Sequence, residues 1–361
     1  MLNILSARIR LQGKLLLFIE SGLAVACSAV LLTAQAPNPE VAENQALTAI
    51  HIPSSAKDML QVASEVNGLD VGTTKPWHIK FSYDEFDSDG DNVHSGTFEE
   101  FYVGSKKYKQ IYAGDQFNQI DVANDSGLYR AGDQHWPGMT EYRVRNAVLQ
   151  PFSRFRANKP NWRLDKEKTK FNTGKLPCLV LHSTGRLIIL PSPMACFEPD
   201  TVMLRFMSGN LTEDVSYSSI VEFQGQYIAK EIAFTRDGKP FLKIHVDDVG
   251  KITKVDDEFF QPPRGATQLT GRITMPSPFY VDDYAVSAPG VLFSRGMDGE
   301  VHVKMLVGKD GSVIEASSTD GPEKMREAVL AALRKYHFRP YYILDQPVEV
   351  EVPMVFTRHE R

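Results

Sequence analysis

The chain has 361 residues, of which 42% are hydrophobic, 10% aromatic and 24% charged. This composition is typical of a folded globular protein of two or three domains and excludes an intrinsically disordered chain. The formal net charge is −5, and a mildly acidic chain without a cluster of Lys and Arg argues against a nucleic-acid partner.

Residues 1–36 have the pattern of a targeting segment. Three basic residues, Arg8, Arg10 and Lys14, precede an apolar run that ends in the A-x-A cleavage signal Ala34–Ala36. The run is about twenty residues long, so it could also span a bilayer without being cleaved. We therefore expect either a signal peptide or a membrane anchor. In both cases the body of the protein would lie in the periplasm, as part of the cell envelope.

Residues 37–260 are predicted to form a β-rich domain. A polar tether over residues 37–50 leads to a helix within Ser54–Asn67, and a second helix begins at Tyr142 and reaches Pro151. Runs rich in aromatic and β-branched residues, separated by turns with Gly and Asp, predict strands. They lie at Trp77–Tyr83, Thr97–Val103, Lys107–Tyr112, Asn118–Val122, Cys178–Ser183, Thr201–Met207, Ser216–Phe223, Gln226–Phe234 and Phe241–Val249. Their regular spacing favours one curved antiparallel sheet, a half-barrel with helices packed on it.

This order of elements resembles the lipoprotein-carrier fold of LolA over about residues 55–255, with a generic β-rich domain as the alternative. The resemblance implies a groove for an acyl chain. Its candidate lining residues are Phe81, Tyr83, Phe98, Tyr102 and Tyr112. A simpler interpretation is that these aromatic side chains form the core of the sheet.

Two cysteines, Cys178 and Cys196, lie 18 residues apart across a predicted hairpin. In an exported protein this arrangement favours a disulfide, which would contribute about 3 kcal/mol in the chain-entropy model. Two buried free thiols are the alternative. A shared metal is not expected, because neither cysteine has a His or Cys at ligand spacing.

Motifs for catalysis and metal binding are missing from the sequence. Asp87–Asn92 looks like a calcium loop, but an EF-hand needs Gly where Asn92 stands and Glu where Phe98 stands, so a solvated turn is predicted. Glu99 and Glu100 are adjacent and would point to opposite faces of a strand. No G-x-S-x-G, H-E-x-x-H or glycine-rich phosphate loop occurs. We expect no enzymatic activity, no cofactor and no metal.

The end of the chain predicts a small α+β domain, which we call the C-terminal domain (residues 291–361), after a proline-rich linker over residues 261–290. Alternation of apolar and polar residues predicts strands at Val301–Val307 and Val348–Phe356, with a second strand at Ser312–Ala316. Between them, Asp320 is predicted to cap a helix that begins near Pro322. One face of the helix would carry Met325, Ala328, Val329, Ala332, Leu333 and Tyr336. The order is β-β-α-β.

Four short stretches of this domain resemble the C-terminal domain of TonB-family proteins. They are Gly299-Glu300-Val301, Val307–Gly311 with its Asp-Gly turn, Ala332–Pro340 with the pattern A-x-x-x-Y-x-F-x-P, and Asp345–Val348. The Tyr-Pro that precedes the first strand in the family and its long proline-rich spacer are both missing here.

By this resemblance, the protein would bind an extended segment of a membrane partner by strand addition, in energy-coupled transport across the envelope. The partner would be an outer-membrane receptor or an inner-membrane complex. The last strand would offer its edge through Glu349, Val350, Glu351, Val352, Met354 and Val355, and Pro353 fits because proline is confined to edge strands. The alternatives are a periplasmic carrier or sensor of a lipid or lipoprotein ligand, and a structural protein with neither activity.

Overall fold

The computed structural model describes most of the chain after residues 1–36, and the predicted targeting segment lies outside the described residues. These are residues 39–41, 50, 52–69, 75–153, 155, 162–171, 174–184, 192–209, 213–254, 256–276, 280–281, 284–294, 296–318 and 320–358. Within these ranges, no helix is both long enough and apolar enough to cross a membrane.

A large curved antiparallel sheet makes up the first part of the fold. Its 14 strands among the described residues are β1 (Pro39–Val41), β2 (Trp77–Phe86), β3 (Asn92–Gly104), β4 (Lys107–Gly114), β5 (Asn118–Asn124), β6 (Gly127–Gly132), β7 (Trp162–Phe171), β8 (Gly174–Ser183), β9 (Met194–Phe197), β10 (Leu204–Ser208), β11 (Glu213–Phe223), β12 (Gln226–Arg236), β13 (Lys239–Ile252) and β14 (Thr267–Gln268). Two meanders, β2 to β6 and β7 to β13, meet at the central pair β2–β13. The predicted curved antiparallel sheet is confirmed.

Two helices, α1 (Ala56–Val66) and α2 (Met139–Leu149), pack on one face of this sheet. The α1 helix begins at Ser55, whose hydroxyl accepts a hydrogen bond from the Asp58 N–H at 3.0 Å. The apolar sides of both helices and the inward side chains of the strands form one continuous core. On the opposite face of the sheet, a 3₁₀ turn (Asp257–Phe260) packs in a small apolar cluster with Phe101, Val122 and Ile252.

The cysteine pair and the acidic turn behave as predicted. Cys178 and Cys196 lie directly opposite each other on β8 and β9 and form a disulfide. In the acidic turn, the Asp87 carboxylate accepts hydrogen bonds from the backbone N–H groups of Asp89, Gly90 and Asp91. That geometry is an Asx turn closing the β2–β3 hairpin.

The C-terminal domain has the predicted β-β-α-β order, with additional short strands. The preceding segment contributes β15 (Arg272–Thr274) and β16 (Ala285–Ser287). The domain itself contains β17 (Gly299–Val307), β18 (Val313–Ser317), α3 (Glu323–Leu333), β19 (His337–Phe338), β20 (Tyr341–Ile343) and β21 (Gln346–Arg358). The main sheet has the order β15-β21-β17-β18. Five of the six predicted helix residues are buried, and Ala328 is half-buried.

The predicted cap of this helix is wrong. Pro322 occupies the N-cap position of α3, and no side chain caps the helix there. Asp320 instead accepts hydrogen bonds from the backbone N–H of His302 at 2.8 Å and lies 2.7 Å from the His302 Nδ1. The carboxylate therefore ties the turn before α3 to β17, and the pKa of Asp320 is lowered, chiefly by the backbone hydrogen bond.

The segment predicted as a linker is built into both sheets. Its strand β14 pairs with β6 of the large sheet, and β15 pairs with β21 of the C-terminal domain. Two side-chain contacts add to this connection. Lys106 lies 2.7 Å from Asp345, and Trp136 packs against the core of the C-terminal domain.

Candidate functional site

The predicted docking strand, β21, is an edge along only part of its length. One side of β21 pairs with β17 from Val350 to Arg358. β20 pairs with Gln346–Val348 at the start of β21, and on the side away from β17, β15 pairs in parallel with Glu349–Glu351. The prediction that Glu349, Val350 and Glu351 form an open edge is therefore wrong, because three residues of the supposed linker already occupy that edge.

The second half of β21 is open on this outer side. The Glu349 N–H donates to the Gly271 carbonyl and the Met275 N–H donates to the Glu351 carbonyl, both at 2.9 Å. Odd-numbered residues of β21 therefore direct their backbone groups outward, and the alternation continues through Pro353, Val355 and Thr357. Within the described residues, no strand pairs with that side beyond Glu351.

The side chains of β21 divide in the same regular way. Val350, Val352 and Met354 are buried against the α3 side of the sheet, and the backbone groups of Val352 and Met354 face β17. These residues hold the strand in place rather than present its edge. Val355 is 55% exposed, so of the six predicted edge residues it alone combines an outward backbone with an open side chain.

The predicted groove aromatics lie mainly in the core of the large sheet. Phe81 and Phe98 are fully buried, and Tyr83 and Tyr112 are each 5% exposed. Their rings contact one another, with centroids 4.9 Å apart for Phe81–Phe98 and 4.7 Å apart for Phe98–Tyr112. Of the five, Tyr102 and Tyr112 line a cavity.

The floor of that cavity is a line of polar side chains that we call the polar row: Glu100, Gln110, Asp121 and Arg130. They stand directly opposite one another on four adjacent strands, β3, β4, β5 and β6. Glu100, Asp121 and Arg130 are 2%, 7% and 4% exposed. Burying a charged group costs free energy unless the group is paired. Each charge of this row, on the helix-bearing face of the sheet, therefore needs a hydrogen-bonding or oppositely charged partner.

Each charge of the polar row has a partner. The Arg130 guanidinium donates to both Asp121 oxygens, at 2.8 and 2.7 Å, which is the strong two-bond geometry. Arg130 also donates to the His135 carbonyl at 3.2 Å and lies over the Trp136 ring. At the other end, the Gln110 amide and the Arg145 guanidinium donate to separate oxygens of Glu100, at 3.1 and 3.3 Å.

Aromatic side chains form the walls of the cavity, which has a volume of about 380 Å³. Tyr102 and Tyr108 stand opposite each other, two residues along their strands from Glu100 and Gln110 and on the same face of the sheet. Burial raises the pKa of Tyr108, so its hydroxyl keeps its proton at neutral pH. The other aromatic lining residues are Tyr112, Trp136, Tyr142, Tyr284 and Tyr341.

Comparison with known protein families bears on the C-terminal domain. Residues 289–357 match the family model described as the Gram-negative bacterial TonB protein C-terminal. The resemblance predicted from the sequence is thus confirmed for that part of the chain, which we now call the TonB-type domain. No curated protein matches the chain at a significant level.

Several solved structures align with this chain at low sequence identity. A LolA superfamily protein from Nitrosomonas europaea aligns at 9% identity and a TM-score of 0.38, over 58% of this chain and 98% of its own. A DUF1329 family protein from Desulfovibrio piger aligns at 10% identity and a TM-score of 0.36, over 57% and 95%. The MucA/MucB complex structure from Pseudomonas aeruginosa aligns at 10% identity and a TM-score of 0.27, over 79% and 99%. All three TM-scores are below 0.5, so these likenesses do not indicate what this chain binds.

The TonB-type domain closes one side of the cavity. Tyr341 on β20 lines it, together with Met275 and Tyr284 from the segment that precedes the domain. Tyr341 lies edge-on to Trp136, with ring centroids 6.3 Å apart. Burial raises the pKa of Tyr341 as well, so this hydroxyl is also a neutral donor.

The sequence analysis missed the polar row, although a signal for it was present. Gln110 stands between Tyr108 and Tyr112 in the same alternation phase, so it shares their face of β4. Asp121 and Arg130 likewise stand at strand positions whose side chains point to the helix-bearing face, where an ordinary core has apolar side chains. Polar residues at the inward-facing positions of consecutive predicted strands are the sequence pattern that would have predicted this site.

One other group of potential ligand residues occurs in the described part of the chain: Asp165, Glu167 and His182, on the β7–β8 hairpin. The His182 Nε2 lies 2.6 Å from Glu167, and the Arg163 Nε lies 2.7 Å from Asp165. These ion pairs account for the cluster.

Proposed function

We propose that this protein is a cell-envelope binding protein, without catalytic activity of its own, that captures an extended segment of a membrane partner. The segment would add as a strand to the outer side of β21, along Pro353–Thr357. The observation that carries the proposal is the half-covered strand itself: on the outer side of β21, β15 pairs only as far as Glu351. Beyond that residue, the described chain leaves an outward row of backbone groups without a paired strand.

The open half of β21 can offer hydrogen bonds of both kinds. Val355 and Thr357 have N–H groups to donate, and all three outward residues have carbonyls that accept, whereas Pro353 has no N–H. An added strand satisfies such groups through main-chain hydrogen bonds, and pockets for alternate side chains give specificity. The exposed Val355 side chain adds an apolar contact beside the backbone.

The match of residues 289–357 to the TonB model supports the envelope setting and the class of partner. In this proposal residues 1–36 export the protein as a signal peptide or hold it as an anchor, and the partner is a membrane protein that exposes an extended segment to the periplasm. Energy-coupled transport by that partner is the process the binding would serve.

Amide hydrogen exchange tests this proposal at residue level. Random heptapeptides displayed on phage would be selected on the full-length protein, and the tightest binder would be added at saturation. We expect slower exchange at the Val355 and Thr357 amides, because both become donors to the added strand. The outer strand β18, at the opposite edge of the same sheet, serves as the internal control and should be unchanged. Protection at β18 alone, or nowhere in β21, would contradict the proposal.

A further inference from the structure

The cavity above the polar row has no part in strand addition, yet its chemistry is specific. Its two carboxylates, Glu100 and Asp121, are balanced by the two guanidinium groups of Arg130 and Arg145. The lining therefore carries no net charge. A charged ligand would have to separate one of these pairs or stay buried without a counter-charge, and both are costly.

The paired groups still have hydrogen-bonding capacity. A carboxylate offers roughly four acceptor sites, and the described bonds to Asp121 are the two from Arg130. The pairs also fix the planes of these side chains before any ligand arrives. A hydroxyl both donates and accepts, so a ligand with many hydroxyls can use acceptors such as Asp121 and donors such as Arg130 at once.

The walls favour the same ligand class. Seven aromatic residues surround the floor, whereas the aliphatic lining consists of Leu128, Pro137 and Met275. Aromatic rings with a polar tip provide a flat apolar surface and a hydrogen-bonding group together. A sugar ring matches this combination, because it has an apolar C–H face and a rim of hydroxyls. An acyl chain has no polar group that could use the remaining hydrogen-bonding capacity of the polar row.

We infer that the cavity binds a neutral saccharide of one or two rings. Its volume of about 380 Å³ falls within the range of roughly 300–1,000 Å³ seen for small-molecule sites. Hydroxyls of the sugar pair with the polar row, and its apolar face packs on the surrounding tyrosines and Trp136. The site is separate from the β21 edge and does not depend on the proposed strand addition.

The ligand would also contact two parts of the fold at once. The polar row belongs to the large sheet, whereas Tyr341 belongs to the TonB-type domain. Saccharide binding therefore adds contacts across the place where these parts meet, and it should raise the unfolding temperature of the full-length protein.

Titration of the full-length protein with N-acetylglucosamine, glucose, chitobiose and cellobiose tests the inference. The indole N–H signals in a ¹⁵N–¹H spectrum provide the readout. We expect a saturable shift of the Trp136 signal, because Trp136 lines the cavity, and no shift of the Trp162 signal, because Trp162 lies on β7 at the far edge of the large sheet.

Two tyrosine variants locate the binding. Tyr108→Phe removes a hydroxyl from the cavity wall, and we expect it to weaken binding roughly three- to tenfold, as for one net hydrogen bond. Tyr129→Phe is the matched control on β6, since Tyr129 lies outside the lining and its hydroxyl contacts Ser126. Circular dichroism would confirm that both variants fold.

Three outcomes would overturn the inference. The first is an unchanged Trp136 signal with all four saccharides. The second is equal weakening by Tyr108→Phe and Tyr129→Phe, which would place the sugar elsewhere. The third is a stronger Trp136 response to monomeric laurate or to trialanine than to any saccharide, which would assign the cavity to an acyl chain or a peptide. None of these results bears on exchange protection at β21, so failure here and failure of strand addition are distinguishable.

Discussion

Arg130 and Asp121 determine, at the scale of single residues, whether the floor of the cavity holds its shape. Both side chains are almost fully buried and joined by two hydrogen bonds. Removing one member of such a pair leaves the other as an uncompensated buried charge, and this costs more than the pair contributes as a whole.

Replacement of this arginine should therefore destabilise the protein strongly. We expect Arg130→Met to lower the free energy of unfolding by about 3–5 kcal/mol, measured by urea denaturation. The matched control is Arg163→Met, because Arg163 also pairs with an aspartate but its side chain is 68% exposed. Exposed pairs contribute about 0–1 kcal/mol. Equal losses in the two variants would show that the Asp121–Arg130 pair is not buried as described.

Single residues also show where sequence reasoning succeeded and failed. Cys178 and Cys196 were predictable because they flank a hairpin, and the turn chemistry of Asp87 was predictable because the signal is local. Asp320 met every local requirement for a cap, but a neighbouring strand offered the His302 N–H instead. Long-range competition of this kind cannot be seen in a window of a few residues.

At the scale of elements, the strands and helices with a strong periodicity of apolar residues were predicted well, and those with a weak periodicity were missed. Strand β7 was missed because Lys and Glu dominate its sequence, which suits the terminal position that it occupies in the large sheet. Strands β6 and β9 are short. Strand β15 has only three residues, and its pairing with β21 is a contact between distant parts of the chain. No sequence pattern marks such a pairing, so the coverage of Glu349–Glu351 could not be predicted.

The pairing of β15 with β21 makes Glu351 sensitive to proline. The N–H of Glu351 faces β15, because the Glu351 carbonyl accepts from Met275 on that side. We expect Glu351→Pro to lower the free energy of unfolding by about 1–3 kcal/mol, the cost of a backbone acceptor left without its donor. Glu351→Thr is the control, since it removes the same carboxylate from Lys304 but keeps the N–H. Urea denaturation of both variants gives the comparison, and equal stabilities would argue against the β15–β21 pairing.

At the scale of the whole molecule, the α+β class, the curved sheet and the small C-terminal domain followed from the sequence, because each rests on regular alternation. The connection between the two parts did not. A run of prolines predicted a linker, yet the same segment adds a strand to each sheet, and Trp136, in the loop between β6 and α2, packs beside Tyr341. This connection closes one side of the cavity through Met275, Tyr284 and Tyr341, so the complete site could not be predicted from either part alone.

The central claim is that an extended segment docks on the open half of β21, and the affinity of a selected heptapeptide for two Val355 variants tests it most directly. Val355→Pro removes one outward N–H at a side chain that is 55% exposed, whereas Val355→Thr keeps that N–H and a β-branched side chain. Fluorescence anisotropy with the labelled peptide would give both dissociation constants, and the α3 signal in circular dichroism would confirm folding. We expect Val355→Thr to bind like the parent protein and Val355→Pro to bind roughly three- to tenfold more weakly, as for one lost hydrogen bond. Equal affinities of two folded variants would contradict strand addition at this edge.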